Sequence, residues 1–173
     1  DKGQNLYQIF KYLGLMDKLK LERMDEAFDR IMLDGDEKLY EIAQGYEAFI
    51  RRLSRDFPGE ERAIRKYCKT MKEICDRFPM YRLRMEGDGR EKQEVMEISA
   101  KIFIDQLTEN NKLRAVLAGN NMLYAGVGAQ TPLYTHALIV NSYMESAWRC
   151  VNGGSQITKT LTAGIHANGG VLL

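Results

Sequence analysis

Apolar positions along the chain follow two periods, and the period changes several times. "NLYQIFKYLGLMDKL" spaces Leu6, Ile9, Phe10 and Leu13 as one helix face would, and Gly14 predicts its end. "LKLERMDE", "FDRIMLDG" and "KLYEIAQG" then alternate roughly every second residue. They predict three strands, with Asp34-Gly35 supplying hairpin chemistry between the second and third. From Gly45 the helical period returns at Tyr46, Phe49, Ile50, Leu53 and Phe57. Pro58-Gly59 breaks it, and a longer pattern follows at Ile64, Tyr67, Cys68, Met71, Ile74, Cys75 and Phe78. Two amphipathic helices joined by a tight turn are predicted, their charged faces in solvent.

"RMEGDGREKQE" (Arg84 to Glu94) is polar and glycine-bearing, and is expected to be a mobile loop. Val95, Ile98, Ile102, Phe103 and Leu107 predict the next helix, and "KLRAVLAG" a short one ended by Gly119. Thr131 is the expected cap of a further helix, with Pro132 at its first position. That helix, "LYTHALIVNSYM", is apolar almost all round and belongs in an interior. "SAWRCV" (Ser146 to Val151) reads as a strand that joins the hairpin's sheet. Gly153-Gly154-Ser155 turns into a last helix, Asn168-Gly169-Gly170 stops it, and Val171 to Leu173 begin another strand. The expected fold class is α+β: a small, mostly antiparallel sheet packed by several amphipathic helices, without internal repeats.

Composition narrows the partners. Among 173 residues, 25 lysines and arginines against 24 acids leave a net charge of +1, with no basic stripe for nucleic acid. No apolar run approaches the roughly 18 residues of a transmembrane segment. Three cysteines do not make a disulfide framework. Cys68 and Cys75, if on one helix, stand about 10 Å apart along its axis, too far to bridge. They read as buried thiols, and a reducing, cytoplasmic setting suits them.

Catalytic motifs are scarce. His136 and His166 are the only histidines, and no metal-ligand spacing occurs, so no metal site is expected. His136, in the apolar helix, is either a core histidine bonded to a carbonyl or a group facing a substrate. "AGVGAQT" (Ala125 to Thr131) lacks the third glycine of a dinucleotide fingerprint and reads as a loop. "DGDEKLYEI" does not match a calcium loop. No nucleophile elbow, P-loop or paired-carboxylate signature is present.

The order of the pieces is more informative than any one of them. A helix ending in "LGLMDKL" precedes paired strands. Then come "LYEIAQGYEAFIRRLSRDFPGEERAIRKYCK" and "KLRAVLAGNNMLYAGVGAQTPLYTHALIVNSYMESAWRCVNGGSQITKTLTAGIHANGGVLL". This succession resembles the substrate domain of the phytoene desaturase and retinol saturase family of flavoproteins, which is related in architecture to the amine oxidases. The resemblance implies that residues 1–173 are a single substrate-domain fragment, with flavin-binding segments absent on both sides. It further implies a parent that uses FAD to saturate, desaturate or isomerise carbon–carbon bonds of an apolar, polyene-like substrate; nicotinamide use stays open. His136, Tyr143 and Trp148 are the implied substrate-facing residues, with Trp148 as ordinary core the competing reading. Gly153 and Gly154 match the family's glycine pair beside the flavin-domain junction. The fragment alone is expected to hold no FAD and to be inactive. It is expected to cover its open apolar face by forming a homodimer or by collapsing the Gly119 to Thr131 loop. The parent is expected to be cytoplasmic or peripheral to a membrane. Two alternatives remain: a free-standing, non-catalytic α+β module binding a lipid or a protein, and an amine-oxidase-like parent.

Overall fold

A computed structural model describes residues 1–83 and 96–173, apart from the side chain of Met80. The loop expected at Arg84 to Glu94, and Val95, lie outside the described residues. The chain divides into two compact units: residues 1–24 with 147–173, and residues 25–146. The fold is α+β, with antiparallel strands and amphipathic helices.

In the larger unit, β1 (Ala27–Met32) and β2 (Leu39–Ala43) form the predicted hairpin, antiparallel from Met32 opposite Leu39 to Ala27 opposite Ala43. Gly35 turns it at φ 71°, a left-handed conformation that a side chain would strain. Asp36 stiffens the turn by accepting from Lys38 N (3.1 Å), Tyr40 OH (2.7 Å) and Lys112 Nζ (2.8 Å). Lys112 and Tyr40 hold its carboxyl down to about 2.

Behind the hairpin stand α1 (Tyr46–Asp56) and α2 (Glu61–Asp76), parted by the Pro58-Gly59 turn. The predicted faces are the buried ones: Phe49, Ile50 and Leu53 on α1, and Ile64, Tyr67, Cys68, Met71, Ile74 and Cys75 on α2. Both cysteines are free, and burial pushes each thiol up to about 12, so they are inert packing groups. Next come α3 (Ala100–Leu107), whose Ser99 cap accepts from Ile102 N, and α4 (Asn111–Leu117), whose Asn110 cap accepts from Lys112 N and Leu113 N. A 3-10 segment (Gly119–Tyr124) and a 3-10 turn (Gly128–Gln130) lead to α5 (Leu133–Glu145). One continuous core joins β2, α1, α2, α3, α4 and α5.

The start of α5 differs from expectation by one residue. Pro132 is the cap, the helix begins at Leu133, and no side chain caps it. Thr131 turns away to accept from Val127 N at 2.7 Å, while Leu133 N donates to Ile98 O at 2.7 Å. A neighbouring carbonyl therefore satisfies the amide that a threonine cap would have taken.

In the smaller unit, α6 (Asn5–Tyr12) precedes β3 (Leu21–Arg23), and β4 (Trp148–Cys150) precedes α7 (Ser155–Ala167). β3 and β4 pair antiparallel, Leu21 with Cys150 and Arg23 with Trp148. This corrects the expectation that the strand near Trp148 joins the hairpin: it pairs with the first short strand in a sheet of two. Arg149 and Glu22, directly opposite in the ladder, form an ion pair across it. Gln156 ties α7 to the sheet by accepting from Lys20 N at 2.8 Å and donating to Val151 O. Gly169 ends α7 at φ 79°, as its sequence predicts. Val171 to Leu173 are exposed and carry no strand.

Candidate functional site

Helix α5 is the element that gathers chemistry in the larger unit. It is apolar enough to be interior, yet its fully buried positions include two polar side chains, His136 and Asn141, each 0% exposed. A buried polar group persists only when its hydrogen bonds are made. Both are bonded, and tyrosines are involved each time.

His136 lies between two phenols: Tyr67 OH is 2.6 Å from Nε2 and Tyr124 OH is 2.5 Å from Nδ1. Tyr124 OH also donates to Asn121 Oδ1, whereas Tyr67 OH stands 3.3 Å from its other acceptor, Leu117 O. The shorter contacts assign the proton order. Tyr67 donates to Nε2, Nδ1–H donates to Tyr124, and Tyr124 donates to Asn121. Burial holds the imidazole down to about 4, and it pushes Tyr124 up to about 12 and Tyr67 well above its ordinary range. All three groups are therefore neutral near pH 7. They form a neutral hydrogen-bonded chain running from the 3-10 segment through α5 to α2.

Asn141, one turn and a half further along α5, accepts from Tyr46 OH and donates to Tyr81 OH and to Glu145 Oε1, each at 3.1 Å. Arg82 donates to the same Glu145 oxygen at 2.8 Å, placing the charge pair at the edge of the network. Burial raises the Tyr46 phenol and pushes Tyr81 up to about 12. This network joins α1, α5 and the 3-10 turn Pro79–Arg82.

Tyr143 and Tyr67 meet at a small cavity of about 10 Å³, lined also by Phe28, Phe49, Val140 and Met144. That is room for one water. His136 reaches this cavity only through Tyr67. Of the implied substrate-facing residues, His136 is enclosed, and Tyr143 is 36% exposed and lines the cavity. Trp148 belongs to the smaller unit, 41% exposed on β4. A second, wider groove of about 300 Å³ runs past Ala100, Lys101, Asp105, Arg114 and Gly128. Its charges answer one another: Lys101 pairs with Asp105, and Arg114 donates to Thr108 O, Asp105 O and Glu109.

Neither glycine-rich segment makes a phosphate cradle for a dinucleotide cofactor. Around Gly126, an added Cβ would meet the Tyr124 ring at 2.8 Å, so the loop is filled by its own side chains. The N-terminus of α5 that follows has already given its first amide to Ile98 O. At Gly153 and Gly154 an added Cβ would meet nothing within 4 Å; Gly153 is needed for its φ of 93°, and Gly154 simply caps α7. Among the described residues, no cluster of histidine, cysteine and acidic side chains could hold a metal ion. No described helix is long and apolar enough to cross a membrane.

In the sequence His136 stands out as either a core histidine bonded to a carbonyl or a group facing a substrate. Its partners are the hydroxyls of Tyr67 and Tyr124, neither of which stands out there as polar. Tyr67 reads as one more apolar position on α2. The available signal was its hydroxyl, since a tyrosine in the middle of a buried stripe needs a partner.

Known proteins bear on this geometry through one family. The chain is 27% identical to the all-trans-retinol 13,14-reductase of Danio rerio over 173 aligned positions, covering 90% of this chain and 28% of that protein. The enzymes of the same name from Macaca fascicularis and Homo sapiens are each 26% identical, covering 87% of this chain and 27% of theirs. The resemblance to the retinol saturase group is therefore real, and the relatives are oxidoreductases by name. The chain spans just over a quarter of their length. No family model matches the chain, and no solved structure does.

Proposed function

We propose that this chain is the substrate-binding portion of an FAD-dependent oxidoreductase that acts on carbon–carbon bonds of an apolar, polyene-like molecule. One observation carries the reading: three retinol reductases align with about nine-tenths of the chain at 26–27% identity. The larger unit supports it with an apolar, aromatic interior in which burial keeps the Tyr67 and Tyr124 phenols and the His136 imidazole neutral. An apolar substrate needs such walls for orientation and for exclusion of water. The described glycine-rich segments do not fit the flavin's phosphates, so in this proposal other segments of a longer protein would hold the cofactor, which supplies the hydride chemistry when bound. In this proposal the chain's own part is to bind and orient.

The test is to express the whole coding sequence that contains this chain. The purified protein is expected to carry FAD and to change the ultraviolet spectrum of all-trans-retinol under reducing conditions. A flavin-free protein, or a flavoprotein that oxidises amines and leaves polyenes untouched, would overturn the reading. The 173-residue chain by itself is expected to leave FAD fluorescence unchanged on titration. Saturable quenching would show that the phosphate cradle has been misjudged.

A further inference from the structure

Between α4 and α5 the chain runs over the surface, fixed at both ends and lightly held between them. At one end Gly119 lies so close to the Ile31 side chain that a Cβ has no room. At the other, Thr131 is buried; its hydroxyl accepts from Val127 N at 2.7 Å and its carbonyl from Ala100 N at 2.9 Å. Most of Asn121 to Gln130 is exposed, Met122 at 90%. The backbone bonds of this stretch are local: Asn121 N to Ala118 O, Gly126 N to Asn121 O, and Gln130 N to Val127 O. Among the described residues, one side-chain hydrogen bond reaches from it into the core, between Tyr124 OH and His136 Nδ1 at 2.5 Å. Ala125, beside that anchor, holds φ at 53°, the left-handed region in which a residue with a Cβ is strained. Release of Tyr124 relieves that strain.

The anchor covers a group that has no counter-charge. Tyr124 is half-buried, whereas Tyr67, on the other side of the imidazole, is 1% exposed, so the short way from solvent to His136 is past Tyr124. The titratable groups around the ring are the Tyr124 phenol and the Tyr67 phenol from α2, with Cys68 on α2 and Tyr46 on α1 beyond Tyr67. Burial raises all four, so none is charged below pH 7. Asn121 to Gln130 contains no acidic, basic or histidine residue. Lys101, Asp105 and Arg114 share a groove with Asn121 and pair with one another. A proton on His136 gives both ring nitrogens an N–H. Tyr124 already accepts from Nδ1–H, and Tyr67 accepts at Nε2 once it turns its own proton to Leu117 O, 3.3 Å away. The hydrogen bonds can be remade, but the buried charge stays unpaired.

We propose that Asn121 to Gln130 form a flap, latched onto α5 by Tyr124, that opens in acid to hydrate the imidazole beneath it. In the open form His136 meets water and titrates near its ordinary 6.5, whereas in the closed form it is held down to about 4. The closed form therefore refuses a proton that the open form takes. Opening becomes easier as pH falls below about 6.5, and the gain is complete near 4. Between pH 7 and pH 5 it amounts to about twentyfold. The device admits water to one side of an otherwise dry, apolar core. It stands independently of the proposed function.

Amide hydrogen exchange on the 173-residue chain, read by mass spectrometry at pH 7 and pH 5 and corrected for intrinsic rates, tests the flap. Its amides are expected to be less protected than those of α2 at both pH values. They should lose about twentyfold in protection between the two. His136→Gln, which takes up no proton in this range, should abolish that loss. Tyr124→Phe keeps the ring and removes the latching hydroxyl, and should lower flap protection at pH 7 about tenfold, the scale of one buried hydrogen bond. Flap amides as protected as those of α2 would show that the segment moves only when the chain unfolds, and would overturn the flap. So would an undiminished effect of pH in His136→Gln, or protection in Tyr124→Phe equal to the parent's.

Discussion

The two units use the same kind of amphipathic helix to opposite effect. In the larger unit α2 buries Ala63, Ile64, Tyr67, Cys68, Met71, Ile74 and Cys75, because α1, α3 and α5 pack against it. In the smaller unit neither α6 nor α7 buries any residue, and Leu6, Ile9, Leu13, Leu161 and Ile165 are exposed large apolar side chains. The periodicity of α6 is as regular as that of α2. Period states which face wants a partner, and only the surrounding elements state whether it has one. Leu15 and Leu19, in the turn after α6, and Ala147, just before β4, are buried in the smaller unit.

Truncation should expose that contrast most strongly. Met71→Ala removes a fully buried side chain from the larger core and should cost about 2–5 kcal/mol in urea denaturation. Leu6→Ala, at a position 59% exposed, should fall within about 0.5 kcal/mol of the parent. Equal losses at both positions would mean that α6 is packed after all.

The next effect is a dependence on pH confined to the larger unit. His136 sits at about 4 when folded, below its ordinary value of 6.5. Between those values the unfolded chain takes up a proton that the folded chain refuses. Stability is therefore full above about pH 6.5, falls as pH drops through the window, and levels off below about 4, for a total of about 3 kcal/mol. Urea midpoints at pH 7 and pH 4.5 should separate for the parent and converge in His136→Gln, after allowance for the carboxylates common to both. An identical pH dependence in the variant would show that the imidazole is hydrated.

What could be read beforehand was local. The hairpin was legible because Asp34-Gly35 writes its turn into the sequence, and α1 and α2 because each carries an unbroken stripe ended by a glycine or proline. The partner of Trp148 was not legible. A three-residue strand pairs with whichever edge the rest of the fold presents, and Leu21–Arg23 carries no mark of being that edge. The bulge at Phe28 was hidden for a related reason: "AFDRIM" reads as ordinary alternation, and only the register against β2 reveals the extra residue. At the candidate site, His136 stood out as a polar residue in an apolar helix. Its partners come from α2 and from the 3-10 segment, elements whose approach to α5 is a product of the whole core.

The smallest expected effect tests the glycine pair that the resemblance singles out. Gly153 holds φ at 93°, a conformation that costs a residue with a Cβ about 1–2 kcal/mol. Gly154, in ordinary helical conformation at φ −70°, caps α7 without any side-chain bond, and an added Cβ there meets open space. If the pair serves only the turn from β4 into α7, Gly153→Ala should lower stability by about 1–2 kcal/mol. Gly154→Ala should change it by less than about 0.5 kcal/mol. Both comparisons are made by urea denaturation. The same two variants in a full-length flavoprotein would then separate turn geometry from a role at the cofactor. Normal stability with loss of bound FAD in Gly154→Ala would show that this glycine is kept for close approach by a neighbour outside the chain. Unchanged flavin content would leave the turn as its whole purpose, and would remove Gly154 from the candidate site.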